Sequence, residues 1–229
     1  MLTKKKKLSK KEIQEDKLVT YYYKTLGFYE KYQKYVLGAA GLIAVIIVAV
    51  ILYNNSMEQS SVEANTALSR TIPIYESGSY QEAIDGRPGT NVLGLKKIAD
   101  EYDGTEAGEI AKMYLANSYY FLGDYESAIN AYDDYDGDIE LFSASSMAGK
   151  AASYEALNNY DQAASNFKNA YSVSDTNPSN PDYMLSAGIN FIKAGDKENA
   201  RETLENLKKQ YESSSAAIEA DKYIAQLQI

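Results

Sequence analysis

The chain has 229 residues, 45% hydrophobic and 24% charged, and its 23 Lys/Arg against 32 Asp/Glu leave a net charge of −9. It has neither cysteine nor histidine. This removes disulfide frameworks, thiolate and imidazole metal sites, a lipidated N-terminal cysteine and the usual general base at neutral pH. The expectation is therefore a binding protein with no cofactor, no metal and no enzymatic activity.

Residues 1–34 carry ten lysines and four acids, net +6, whereas the remainder carries thirteen Lys/Arg and twenty-eight Asp/Glu, net −15. Lys4 to Lys7, with Lys10 and Lys11, read as a solvated tail that sets topology rather than as a site for anionic lipid head groups or ribosomal RNA, and no nucleic-acid partner is expected. Between Leu18 and Tyr35, Tyr21, Tyr22, Tyr23, Phe28, Tyr29 and Tyr32 alternate with Lys24, Lys31 and Lys34. That composition suits an interfacial helix leading into a membrane, or equally a surface facing a neighbouring membrane protein.

Val36 to Leu52 is a run of seventeen uncharged residues bounded by Tyr35 and Tyr53. At about 1.5 Å per residue it is roughly 26 Å long as a helix, enough for one crossing of a ~30 Å hydrocarbon core, so a transmembrane helix is expected over 35–53. The charge asymmetry keeps the 1–34 tail in the cytoplasm and sends residues 54–229 across, as expected for a single-pass protein of a bacterial inner membrane with a periplasmic C-terminal domain. Cleavage near Val62-Glu63-Ala64 is the competing reading; the apolar run exceeds a typical signal core and ends well before that site. Gly38 and Gly41, with Ala39, Ala40 and Ala44, would permit packing against a second transmembrane helix.

Past the membrane the sequence repeats itself. Ala111, Tyr114, Leu115, Ser118, Tyr119 and Leu122 fall on one helical face, Gly123-Asp124 interrupts, and Tyr125, Ala128, Ile129, Tyr132 and Tyr135 trace a second helix. Tyr154, Asn158, Tyr160, Ala163 and Phe167 repeat the positions of Tyr119, Gly123, Tyr125, Ala128 and Tyr132, and Phe191, Gly195, Lys197, Ala200 and Leu204 repeat them again. Gly78, Tyr80 and Ala83 mark a weaker first copy whose leading helix, about Val62 to Tyr75, contains Pro73. Asp85 to Thr90 reads as a loop, Asn91 to Tyr102 as an extra helix, and Ser172 to Asn180 as a connector whose following Pro181 opens the next helix. Ala217, Ala220, Ile224 and Leu227 trace a final capping helix.

This pattern resembles the tetratricopeptide repeat, which implies an all-α solenoid of about three to four helical hairpins plus a C-terminal cap. Lys112 stands where that family has an aromatic, Lys150 where it has Leu, and no copy ends in the usual Pro, so the repeats are divergent.

The acidic run Asp133, Asp134, Asp136, Asp138 and Glu140 around Gly137 fails as a calcium loop, because aligning Gly137 with the loop glycine puts Tyr132 and Ser143 at two ligand positions. It reads as an inter-repeat turn, and no phosphate loop or nucleophile elbow is present. On the inner wall of the solenoid, Met113, Asn117, Tyr120 and Phe121 are the expected partner-binding residues. The next copy has Ala148, Ala152, Glu155 and Ala156 there, which does not support a clamp for a C-terminal carboxylate. An apolar, aromatic groove in an acidic domain suits unfolded or partner segments, basic ones above all.

The order of parts, together with Leu95 to Ala111 and the closing Tyr223 to Ile229, resembles the YfgM-like family, ancillary to the SecYEG translocon. That resemblance implies a protein beside the secretion channel, with the translocon, a membrane-anchored periplasmic chaperone and secreted chains as partners. The alternative is a cell-envelope scaffold for wall-building or outer-membrane assembly proteins that does not touch nascent chains.

Overall fold

A computed structural model of the chain describes residues 10–227. Lys4 to Lys7 and the closing Gln228-Ile229 lie outside the described residues, as do the side chains of Lys10 and Lys11. The chain divides into two compact units, Met1–Ser56 and Met57–Ile229. Among the described residues there are helices and no strand, apart from one isolated antiparallel bridge between Gly86 and Leu93.

Helix α1 is Lys10–Glu76. The sequence suggests separate interfacial, spanning and first-repeat segments; the structure has one helical element instead, because Tyr53 to Thr71 contains no glycine or proline to break it. Within the first unit α1 is long and apolar enough to cross a membrane. Its aliphatic side chains there are exposed, Leu42 at 63%, Val45 at 66% and Leu52 at 64%. Bare aliphatic surface of that extent is unfavourable in water and favourable in hydrocarbon.

The second unit is a stack of helical hairpins. The last part of α1 buries Ala64, Ala67, Leu68 and Ile74, and Thr71 donates its hydroxyl to the Leu93 carbonyl at 2.6 Å. Pro73 lies in the last turn of α1, where its missing N–H removes one ladder bond, that to the Ser69 carbonyl, and the helix ends at Glu76. Then come α2 (Tyr80–Asp85) and α3 (Leu95–Glu101), followed by α4 (Glu106–Leu122) with α5 (Tyr125–Asp133). The remaining pairs are α6 (Glu140–Ala156) with α7 (Tyr160–Ser172) and α8 (Asn180–Ala194) with α9 (Lys197–Gln210), closed by α10 (Ser215–Gln226). Pro181 lies in the first turn of α8, where its missing N–H costs nothing.

The three clear hairpins turn by one chemical device. Gly123 and Gly195 adopt left-handed φ of 78° and 85°, and Asn158 takes the same role at 58°. The next residue's N–H then reaches back to the carbonyl of the repeat's aromatic: Asp124 to Tyr119 at 3.0 Å, Asn159 to Tyr154 at 2.9 Å, Asp196 to Phe191 at 2.9 Å. That same residue caps the following helix, Asp124 accepting from the Ser127 N–H and Asp196 from the Asn199 N–H. Beyond each turn Ala128, Ala163 and Ala200 are all fully buried, and Tyr132, Phe167 and Leu204 close the hairpins at 7% exposure or less.

The extra helix expected over Asn91 to Tyr102 is shorter than its sequence suggests. It begins at Leu95, with Gly94 as its N-cap, because Leu93 is drawn into the bridge with Gly86. A Cβ on Gly94 would collide with the Ile84 carbonyl oxygen, so the two stretches of backbone cross where only glycine fits. Leu122, expected on the apolar face of α4, is 46% exposed at the helix end.

The buried apolar side chains gather in two clusters. One runs from Ala64 to Tyr132, and the other from Ala148 to Leu227. In the second, Leu204 and Leu207 are fully buried and the cap contributes Ala216, Ala217, Ala220 and Leu227. Each fully buried leucine is worth about 1.5–3 kcal/mol.

Gly123→Ala is expected to lower stability by about 1 kcal/mol, because alanine resists the left-handed turn. Asn158→Gly should be neutral or stabilising by about 0.5 kcal/mol. Urea unfolding followed by circular dichroism reads both, and a neutral Gly123→Ala would contradict the turn geometry described.

Candidate functional site

Helix α4 carries the four residues expected to bind partners, and the structure sorts them into two neighbouring groups. Met113 and Asn117 line a cavity of about 290 Å³ with Ile110 and Tyr114 of the same helix and Phe142 and Ser145 of α6. Met113 is 8% exposed, so it forms the floor of the cavity. Asn117 is fixed by the Tyr132 hydroxyl, which donates to its Oδ1 at 2.6 Å; burial pushes the Tyr132 phenol well above its ordinary range and keeps it a donor.

Tyr120 and Phe121 lie about one turn beyond Asn117, outside that cavity. Phe121 is 57% exposed and stacks on Tyr80 of α2, centroids 4.9 Å apart and planes 19° apart. Tyr120 contacts Phe121 edge-on at 5.9 Å and Tyr125 at 5.5 Å. Tyr75, at the end of α1, meets Tyr80 at 5.4 Å and Tyr114 at 4.8 Å. The result is a continuous aromatic patch supplied by α1, α2, α4 and α5, with ring geometries in the favourable range for edge-to-face and offset contacts.

Tyr75, Tyr80, Tyr114 and Phe142 are additions to the expected partner-binding set. Tyr114 falls on the apolar stripe of α4 and reads as core, and the other three belong to different helices. A sequence signal for Tyr80 does exist, since it occupies the same position after the turn as Tyr125 and Tyr160.

A second cavity of about 450 Å³ adjoins the first and shares Ile110 and Phe142 with it. Its walls are acidic and aromatic: Asp103, Glu106, Glu109, Tyr135, Asp136 and Asp138 among others. Tyr135 and Phe142 meet edge-on at 6.5 Å. Among the described residues no group of three or more acidic side chains is arranged to hold a metal ion.

The floor of this second cavity is held by Glu109, which is 7% exposed. Its carboxylate accepts from the Asp136 backbone N–H at 2.8 Å and from the Lys112 ammonium at 2.7 Å. Lys112 also donates to Asp103 at 2.6 Å. A lysine at this position of the repeat is thus a bridge that ties α4 to the loops before α4 and after α5. Desolvation acts to lower the Lys112 pKa, but the bonds to Asp103 and Glu109 outweigh it and raise it; the same bond holds Asp103 below the usual carboxylate range. Lys150 likewise pairs with Asp133 across the next turn.

Residues 111–135 and 182–214 match the tetratricopeptide repeat family. These are the second part of α4 with α5, and most of α8 with α9 and the turn that follows. No curated protein matches the chain. Among solved structures it is similar to the nearly identical tetratricopeptide-like repeats of a Podosopora anserina chain named for the kinesin light chain, at 13% identity and a TM-score of 0.53, with 73% of this chain and 86% of that one covered. A single-substitution variant of those repeats is equally similar at 13% identity and a TM-score of 0.53, covering 73% of this chain and 85% of that chain. At this identity the likeness establishes the fold, a tetratricopeptide-like helical solenoid. Repeats of this kind form extended surfaces for other polypeptides, and they mark the chain as a protein–protein interaction module.

Glu109→Ala leaves Lys112 and the Asp136 N–H without their shared acceptor and is expected to cost about 3 kcal/mol. The pH dependence follows from the two shifts. The contribution of Asp103 is present above its unfolded value of 3.8 and fades as pH falls through the lower folded value; that of Lys112 is present below 10.5 and fades as pH rises through the higher one. Lys112→Met should therefore be destabilised relative to the parent by a constant amount between about pH 5 and 9. That gap should narrow at both extremes, as read by thermal unfolding across pH.

Proposed function

We propose that this chain is a membrane-anchored interaction module ancillary to the Sec translocon, with residues 35–53 of α1 as its single span, residues 1–34 in the cytoplasm and the repeats over 54–229 outside. There the repeats hold segments of secreted chains or a membrane-anchored periplasmic chaperone. The observation that carries the reading is the apolar cavity along α4 lined by Met113 and Asn117, beside the aromatic patch of Tyr120 and the exposed Phe121, in a domain of strongly negative charge. Hydrophobic walls provide contact with apolar side chains of many sequences, and the negative field favours basic ones. The association with the translocon rests on the resemblance of the whole order of parts to the YfgM-like family.

Purification of the full chain in mild detergent is expected to recover translocon subunits or a membrane-anchored chaperone. A photocrosslinker at Phe121, an exposed position, should give adducts that vanish when secretion is blocked. Adducts that persist without secretion would instead favour an envelope scaffold. For topology, a single cysteine at the exposed Ser165 should react with an impermeant maleimide in intact spheroplasts, and one at Ser9 should not.

A further inference from the structure

The two adjoining cavities differ in chemistry and share a wall. One is floored by Met113 and faced by Ile110 and Phe142; the other presents Glu106 and Asp138 past the same Ile110 and Phe142. Glu109 is already satisfied by Lys112 and the Asp136 N–H, and Asp103 by Lys112. Among the described residues no ion pair neutralises Glu106 or Asp138, and both are exposed. No residue lining the acidic cavity is basic.

We infer that the paired cavities read one polypeptide segment by two features: an apolar side chain seated between Met113, Ile110 and Phe142, and a Lys or Arg a short distance along that meets Glu106 and Asp138. This deepens the interaction-module reading and rests on it. The spacing follows from α4 itself. Glu106 and Met113 are seven residues apart on one face of the helix, about 10 Å at 1.5 Å per residue. A guest in the polyproline II conformation advances about 3.1 Å per residue and turns once every three residues, so apolar and basic side chains three positions apart face the same side of it about 9 Å from one another. Tyr135 and Phe142, at the cavity wall, offer ring faces to the aliphatic stem of that basic side chain. The apolar pocket supplies contact area, and the unpaired carboxylates supply selectivity for sign of charge.

The test is fluorescence anisotropy of labelled twelve-residue peptides titrated with the full chain in detergent micelles at low salt. A peptide with Leu and Arg three positions apart is expected to bind about tenfold more tightly than the same peptide with Glu for Arg, a gap that closes as salt is raised. Replacing its Leu by Ser should weaken binding by a similar factor. The double variant Glu106→Gln, Asp138→Asn should lose the preference for Arg over Glu while keeping the parent circular dichroism spectrum, since both side chains are exposed. Equal affinity for the Arg and Glu peptides, or an unchanged preference in the double variant, overturns the inference. If secretion-dependent crosslinks at Phe121 persist in that case, the interaction-module reading stands and only the two-feature recognition falls.

Discussion

The hairpins of this protein exist because paired helices come close enough for nothing larger than a methyl group to fit between them. Ala128, Ala163 and Ala200 are all fully buried at the same step beyond the turn. A Cβ on Gly149 would collide with the Tyr132 ring, and one on Gly188 would lie 2.5 Å from Leu204. Small residues on one helix and a large one on its neighbour interdigitate, and close packing of this kind leaves few alternative arrangements. The left-handed turns at Gly123, Asn158 and Gly195 deliver the second helix to that distance.

Electrostatics then sets what packing leaves open. The loop before α4 packs Tyr102 and the loop after α5 packs Tyr135 against the first cluster, and Glu109 and Lys112 fasten both loops to α4 through charge-assisted bonds. Burying charge is costly unless it is paired and hydrogen-bonded, and here each charge has its partner. The fastening shapes the acidic cavity beside the apolar one, so the structural bridge and part of that cavity's charge, Glu106, come from the same helix.

Much of this architecture is legible in the sequence. The turn residues, the buried alanines, the aromatic positions and the capping helix follow from a spacing of about 35 residues and from the chemistry of Gly, Asn and Asp at helix ends. The extra helix departs from its expected length because its boundary depends on a backbone bridge between Gly86 and Leu93, which no local pattern announces. Lys112 is visible as a departure from the repeat, and Glu109 is its i,i+3 neighbour on α4; Asp103, in the loop before the helix, and the Asp136 N–H, in the loop after α5, are brought to that pair only by the fold. Of the groove, the α4 residues are readable from helical periodicity, whereas Tyr75, Tyr80 and Phe142 arrive from other helices. The separate leading helix expected near Val62 is absent as an independent element because nothing between Leu52 and Pro73 stops α1.

The division of the core into two clusters, meeting at Tyr132 and Gly149 with the Ser146 hydroxyl donating to the Tyr132 carbonyl, makes a seam across the stack. In arrays stabilised by nearest neighbours, such seams are where cooperative unfolding divides. The groove straddles this one, since α4 lies on the first side and Phe142 and Ser145 of α6 border the second. A guest lodged there clasps both halves, so occupancy would stiffen the stack and make the unfolding of its two parts more nearly concerted.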